Sequence, residues 1–558
     1  MVRGVNANQL SLDTVGHNIT NASTTGYSRQ SVNLAATRAQ ETYSIYGTQL
    51  LGSGVDSTSI LRARNIYADK QYWTENGTNS YYETKQANYD KVEAVFNDSD
   101  DNGIENAMED FYSSWSDLSS NASTTSNRTT VIEKGKVLAD RVATAAQQIQ
   151  QQVSSNYDEL DTAVTKVNDL TDQIVSLNKN IAAIEATGAN ANDLRDQRDN
   201  LVDTLSGYTN INVYEDGETG MYTIVSNGAS LVNGVNKLTL ELTQPGTTNS
   251  TYGVTDHSLI IKETGTDFSP GNGSLAAQMN NVAENKSYID KLSNMSAFLL
   301  TTFNDQHKAG YGMSGSSIDT SKTNVNFYGT DGTTYTWDST NQAVTAKDSA
   351  GTTTTLKGVQ IISALEVSSK LTGADGTSYV AACGGTVTST ETATSTVPAG
   401  TKGSYTVTTD ASTGAKTTVI VSVSGTTATT TTTISSANGT ADGSNATLMS
   451  ALFNSTKANT VNTVSDRAIE DISLNSYYNN SMSALGVDAQ AMDDKTTYQS
   501  QIMTQVENWR SSTAGVNWNE ELTNMIKFQQ GYSACSRCLT TMDEMLDKLI
   551  NSTGTVGR

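Results

Sequence analysis

Proline is nearly absent from this chain: there are three in 558 residues, beside three cysteines and three histidines. Long stretches are therefore free to run as unbroken helix, because proline removes a donor and kinks the turn before it. Cys383, Cys535 and Cys538 make no disulfide framework. Cys535 and Cys538 form a C-x-x-C, but no second pair and no neighbouring His complete a zinc site, so packing is the better reading. Positive charge is also scarce, with 35 Lys and Arg against 58 Asp and Glu, a net charge of −23. No basic patch is visible, so the surface repels nucleic acid and anionic lipid. No run of ~20 apolar residues could span a bilayer. The opening MVRGVNANQL lacks the charged start and apolar run of a secretory signal. On these grounds alone the chain reads as cytoplasmic, with neither nucleic acid nor membrane as partner. Apolar content of 36% suits a long helical framework carrying polar β-domains better than a compact enzyme with one core.

Catalytic signals are equally thin. His17, His257 and His307 lie far apart, and no H-E-x-x-H, G-x-S-x-G, phosphate-loop or dinucleotide motif occurs. His307 ends a predicted helix, where a cation favours the dipole. We expect no enzyme and no cofactor. One stretch has ligand-like spacing, DSDDNGIENAME at 98–109. Asp98, Asp100, Asn102, the Ile104 carbonyl and Glu109 fit a twelve-residue calcium loop with Gly103 at its turn. Glu105 stands where an apolar residue normally couples to a paired loop, and an ordinary helix N-cap explains the acids as well.

What the chain does have is helical seams. Trp518, Leu522, Met525, Tyr532, Cys535, Leu539, Met542, Leu546 and Leu549 recur at steps of three, four or one full heptad. Val2, Val5, Leu12, Val15 and Ile19 form a shorter stripe at the start. A narrow stripe cannot make a core alone, so the two ends are predicted to pair with each other and with copies of the chain. The longest helix is predicted over 129–186, with a seam running from Val142 through Val153, Leu160, Val167 and Ile174 to Leu177, Ile181 and Ile184. From Val153 onward every step of the seam is three or four residues, which reads as a rod rather than a globular helix. Further helices are expected at 65–96, around Ile104, Met108, Phe111, Trp115 and Leu118, at 194–205 and at 276–307. From Ala446 helix is expected to the end, apart from a break near 511–516. The charges of DLRDQRD (193–199) read as a solvated face with local Arg195–Asp199 pairing.

Two β-rich stretches interrupt this pattern. INVYED, MYTIVSN, SLVNG and KLTLELT lie within 208–270, and NFYG, TYTWD, QAVTA and TTTLKG begin a second set. Beyond them SYTVTT, TTVIVSVSG and TATTTTTISS read as β-branched strands, with a disordered linker as the alternative for TTTTT. The fold class is thus mainly α with β insertions: a coiled-coil-like helical stem formed by both termini, with β-rich domains facing outward. The expected division is a terminal assembly region at 1–64 and 511–558 and a stem at 65–207, 276–310 and 441–510. A β-rich domain is expected at 208–275 and a Thr/Ser-rich insertion at 318–440.

Asn18, Ile19, Asn21, Ala22, Gly26, Tyr27, Ser28, Arg29 and Gln30 resemble the motif shared by bacterial flagellar rod, hook and hook-associated proteins. Those proteins usually carry Thr-Pro before Gly-Tyr, where this chain has Thr24-Thr25. NDLRDQRDNLVDTLS (192–206), FNDQHKAGYG (303–312) and the stretch 515–551 are similar to members that join hook to filament. The resemblance does not cover the Thr-rich middle. Against the family the first helix is shorter by a turn or two. The resemblance implies export through a type III channel without a cleaved signal, a secreted extracellular position in the flagellum, and a homo-oligomer packed as a helical tube. It implies hook protein below, hook-associated protein 3 and flagellin above, and an export chaperone on the C-terminal helix. The expected assembly residues are Val5, Leu12, Val15, Ile19, Asn21, Gly26 and Tyr27 near the start, and Met525, Tyr532, Leu539, Met542, Leu546 and Leu549 near the end. Hook protein itself, hook-associated protein 3, or a surface adhesin using the Thr-rich domains are the alternatives.

Overall fold

The computed structural model describes residues 1–558 except 45–46, 97–102, 244–246, 399–401, 411–412, 414, 457–467, 470 and 553–558. The chain opens with helix α1 (Val2–Asn21), followed by strands β1 (Gln30–Ala36), β2 (Gln40–Ser44), β3 (Gly47–Leu51) and β4 (Val55–Arg62). β1 and β4 pair antiparallel from Gln30↔Arg62 to Ala36↔Val55, and β2 pairs β3 further out on the same ribbon. Asn65 then caps α2 (Ile66–Val95), its Oδ1 accepting the Tyr67 N–H at 3.0 Å.

The stem is built by α2 with α3 (Ile104–Ser120), α4 (Thr125–Glu185), α5 (Asn192–Tyr208) and α6 (Ser274–Phe298). At ~1.5 Å per residue α4 is about 90 Å long. It is not an isolated rod: α3, α5, α6 and both inner sheets lie against it. Its predicted seam is buried down to Ile174 and again at Ile181, but Leu177 is half-buried and Ile184 is 40% exposed. A strict heptad drifts around a straight 3.6-residue helix by about 20° per repeat. Burial has moved instead to Asn178, whose amide closes on the Tyr222 and Gly234 carbonyls.

Two apolar cores hold the stem. In the upper one Phe111 of α3 lies 5.5–6.3 Å, ring to ring, from Trp115, Phe303, Phe327, Tyr328 and Phe453. Gly135 of α4 is required there, because a Cβ would stand 2.6 Å from the Phe327 ring. The lower core joins Val153 to Ile174 of α4 with α5 and the first β-unit. That unit is a meander, β5 (Asn212–Glu215), β6 (Tyr222–Ser226), β7 (Ala229–Asn233) and β8 (Asn236–Lys237), beside β9 (Leu240–Thr243), β10 (Ser258–Ile261) and β11 (Thr266–Asp267).

The 276–307 helix runs on through a π turn at Leu299–Phe303 into α7 (Asn304–Ala309). β12 (Met313–Ser314) and β13 (Ser317–Ile318) follow, then the meander β14 (Thr334–Asp338), β15 (Ala343–Lys347) and β16 (Thr353–Leu356), and the short helices α8 (Val359–Ser363) and α9 (Ser369–Thr372). NFYG is not a strand. Its Asn326 amide closes a turn on the Thr330 and Thr333 carbonyls, and Phe327 and Tyr328 enter the aromatic core.

The outer sheet has the order β17 (Gly385–Thr396), β20 (Thr427–Ala437), β19 (Lys416–Ser424), β18 (Ser404–Thr409). The TTTTT tract is a strand, part of β20. β17 has Thr at every second position but no apolar face to mark it as a strand, and every one of its residues is exposed. Its Thr–Thr pairs with β20 hold it, a cross-strand stabilisation that needs no apolar face. Lys416, 1% exposed, anchors the sheet: it donates to the Lys308 and Gly310 carbonyls and lies over the Tyr311 ring. After α10 (Ser444–Ala451) the described residues 452–456, 468–469 and 471–473 are not helical, contrary to expectation; Ser473 then caps α11 (Leu474–Ala514), and α12 (Trp518–Ser552) follows.

Candidate assembly site

The two ends meet as an antiparallel helix pair. Gly4 faces Cys535, Asn8 faces Gly531, and Asn18 faces Glu521. The buried side of α1 is Ala7, Ser11, Thr14, Val15 and Asn18, not the predicted apolar stripe. Of that stripe Val15 is buried, Val5, Leu12 and Ile19 are half-buried, and Val2 is exposed. Small residues win because the helices approach closely: a Cβ on Gly531 would stand 2.6 Å from the Asn8 side chain.

α12 has a wider apolar surface than α1 can cover. Met525, Phe528, Cys535 and Leu539 are half-buried, whereas Tyr532 is 38%, Met542 48%, Leu546 53% and Leu549 61% exposed. From Thr540 to Ile550 every residue is exposed, because α12 continues past the start of α1.

The turn after α1 is closed by Asn18. Its amide nitrogen donates to the Gln30 carbonyl at 2.8 Å and to Glu521 at 3.1 Å. Its oxygen accepts the Gln30 N–H at 2.9 Å and the Tyr27 hydroxyl at 2.8 Å. Tyr27 also lies 3.0 Å from His17 Nδ1, and Asn21 donates back to the His17 carbonyl. Gly26, at φ +78°, sets the loop against Asn200 of α5, where a side chain has neither room nor the right backbone. The motif residues thus form one local knot, and each of the next three reaches out of it. The Ser28 N–H meets Asp196 at 2.9 Å, Arg29 bonds Glu520 and Glu521, and Gln30 bonds Asp193.

Beneath the knot lies a buried ionic joint that the sequence reading missed. The charges of α5 are not a solvated face. Asp196, Arg198, Asp199 and Asp203 are buried, and Arg195 pairs with Glu185 and Glu215 rather than with Asp199. Arg62, at the end of β4, bonds Asp196 at 2.6 Å and Asp199 at 2.8 Å. Arg64 bonds Asp69 at 2.8 Å, and Arg510 of α11 reaches Asp69 at 3.0 Å and Asp203 at 2.5 Å. Trp73 Nε1 donates to the other oxygen of Asp203 at 2.7 Å. Burial opposes charge on Arg62, but Asp199 and Asp196 outweigh it and raise its pKa. Burial likewise pushes Asp199 up, yet Arg64 and Arg62 leave it below the usual carboxylate range. For Asp203 burial prevails over Arg510, and its pKa is raised. One signal was readable: 192, 196, 199 and 203 share a helix face.

Of the remaining candidates, His307 and Glu109 form no site among the described residues. His307 is fully buried and is not a helix-end cation. Nδ1 donates to the Val325 carbonyl, Nε2 accepts the Ala381 N–H, and burial lowers its pKa to about 4. Asp98, Asp100 and Asn102 lie outside the described residues, and Glu109 is exposed on α3. Among the described residues no cluster of His, Cys, Asp and Glu is arranged to hold a metal. No helix there is long and apolar enough to cross a membrane.

Comparison with known proteins agrees with this geometry. Residues 89–321 match the family described as flagellar hook-associated protein FlgK helical domain, and 510–552 match flagellar basal body rod FlgEFG protein C-terminal. Flagellar hook-associated protein 1 of Bacillus subtilis is 28% identical over 100% of this chain and 98% of its own length. The Escherichia coli protein of the same name is 28% identical over 56% of this chain and 57% of its own. The flagellar hook junction protein FlgK from Burkholderia pseudomallei shares the fold, with a TM-score of 0.56 at 17% identity over 80% of this chain and all of that one.

Proposed function

This chain belongs to the flagellar hook-associated protein 1 family, and from that premise we propose that it is a structural junction subunit connecting the hook of the bacterial flagellum to its filament. The observation that carries the mechanism is the apolar surface of α12, which α1 covers only in part. Each buried Leu or Met on that surface contributes about 1.5–3 kcal/mol once a neighbour covers it. The copies pack heterologously, as open helical assemblies do, with the paired ends inside and the β-units outside. Hook protein lies on one side, hook-associated protein 3 and then flagellin on the other. A chaperone covers the C-terminal helix before the type III export route delivers the chain outside the cell. The work is assembly rather than catalysis.

Deleting the gene tests the reading. The expected result is hooks without filaments and flagellin in the medium, both reversed by supplying the chain. Filaments still attached in the deletion strain contradict it.

A further inference from the structure

Five of the six residues 147–152 of α4 are glutamine. Elsewhere on the stem, surface glutamines bond an acid one turn further on: Gln71 with Glu75 at 2.7 Å, Gln86 with Asp90 at 2.8 Å, Gln490 with Asp494 at 3.3 Å. On α4 the pattern differs. Gln147, Gln151, Ser154 and Asp158 follow at steps of four, three and four, so they share one exposed stripe. That stripe is one wall of a cleft of about 590 Å³, and the loop leading into β10 is the other, with Thr248, Thr255 and His257. Among the described residues, the side chains of Gln147, Gln151, Ser154, Thr248 and Thr255 make no hydrogen bond within the chain. Their donors and acceptors are free.

The walls themselves are fixed. Gln150 donates to the Tyr252 carbonyl at 2.8 Å, and the Val359 N–H of α8 bonds the Thr251 carbonyl at 2.8 Å. Asp256 is held by Lys286 of α6 and by the Asn249 amide at 2.7 Å. Gly253, at φ +69°, lets the loop close on α4, where a Cβ would run into the Gln150 amide. The Tyr157 and His257 rings, centroids 4.7 Å apart, also line the cleft. Fixed walls and free polar side chains make a preorganised ligand site.

We propose that this cleft binds a neutral saccharide. Amides and hydroxyls side by side both donate and accept, as the neighbouring hydroxyls of a sugar require. The ring pair offers apolar surface to the sugar's C–H face. Other ligand classes fit worse. No Lys or Arg lines the cleft to hold an anion, and Asp158 repels one. An apolar ligand would leave the free amides without partners. Hydrolysis is not implied, because it needs two carboxylates across the bond, and Asp256 is turned to Lys286. The inference goes beyond the proposed function and does not depend on it, since the cleft belongs to the stem of each single chain.

Saturation-transfer NMR on the full chain tests it, with maltose, cellobiose and N,N′-diacetylchitobiose as neutral probes and trigalacturonate as the anionic one. The expected result is saturable millimolar binding of at least one neutral probe and none of trigalacturonate. Gln147→Ala with Gln151→Ala keeps helix propensity and is expected to weaken binding about tenfold at an unchanged melting temperature. Ser154→Trp fills the cleft and is expected to abolish binding, whereas Gln490→Ala on α11 leaves it unchanged. Failure of all three neutral probes to bind at millimolar concentration overturns the site. So does binding that survives both cleft variants, or trigalacturonate bound as well as the neutral sugars.

Discussion

The stem and the terminal helix pair put their apolar side chains to opposite use. In the stem Phe111 meets five other rings, and Trp115, Phe303 and Phe327 are fully buried beside it. At the termini the close contact is made by Ala7, Ser11, Thr14 and Gly531, and the large residues Met542, Leu546 and Leu549 stay exposed. One region completes its core within a single chain. The other leaves apolar surface uncovered within the single chain and meets the stem through ion pairs and hydrogen bonds. The difference teaches that, on the proposed function, an exposed Leu on α12 is to be read as contact surface rather than as a fault in folding.

The comparison breaks most sharply at the aromatic hub. Phe111→Ala is expected to destabilise the stem by about 3–5 kcal/mol, because five rings cannot all collapse into the space it leaves. Urea unfolding followed by near-ultraviolet circular dichroism measures it. The ionic joint should come next. Arg62→Met leaves Asp196 and Asp199 buried with one cation fewer, at a cost of about 3 kcal/mol by the same unfolding assay.

A pH titration sharpens the contrast further. His307 has its pKa lowered from 6.5 to about 4, so the folded state binds fewer protons than the unfolded chain between those values. Its contribution is complete above pH 6.5 and is lost as pH falls toward 4. At about 1.4 kcal/mol per unit, the loss across that window is roughly 2–3 kcal/mol. His307→Gln should flatten the stem's pH dependence there, a result read from melting curves at pH 4, 5, 6 and 7.

Much of the stem was legible because its signals are local. Ile104, Met108, Phe111, Trp115 and Leu118 recur at helical spacing, and all five are buried on one side of α3. The joint was hidden because its partners are distant in sequence: Arg62 lies 134 residues from Asp196, and Arg510 lies 307 from Asp203. The shared helix face of 192, 196, 199 and 203 hints at a contact, but nothing in the charge run names the distant residues that compensate it. The α1 contact face was misread for a different reason. Apolar periodicity finds Leu12 and Ile19, whereas close helix approach selects Ala7, Ser11 and Thr14. β17 was missed because alternating Thr and Ser carry β-propensity without an apolar face.

The central claim is that the exposed surface of α12 serves neighbours and not the chain's own stability. The direct measurement uses Leu546→Asp with Leu549→Asp, both beyond the reach of α1. The purified variant is melted alone and then added to hooks that lack this protein. The account predicts melting within about 0.5 kcal/mol of the unaltered chain, as for other exposed positions, and no growth of filament from the treated hooks. Filaments that grow as they do with the unaltered chain would contradict it.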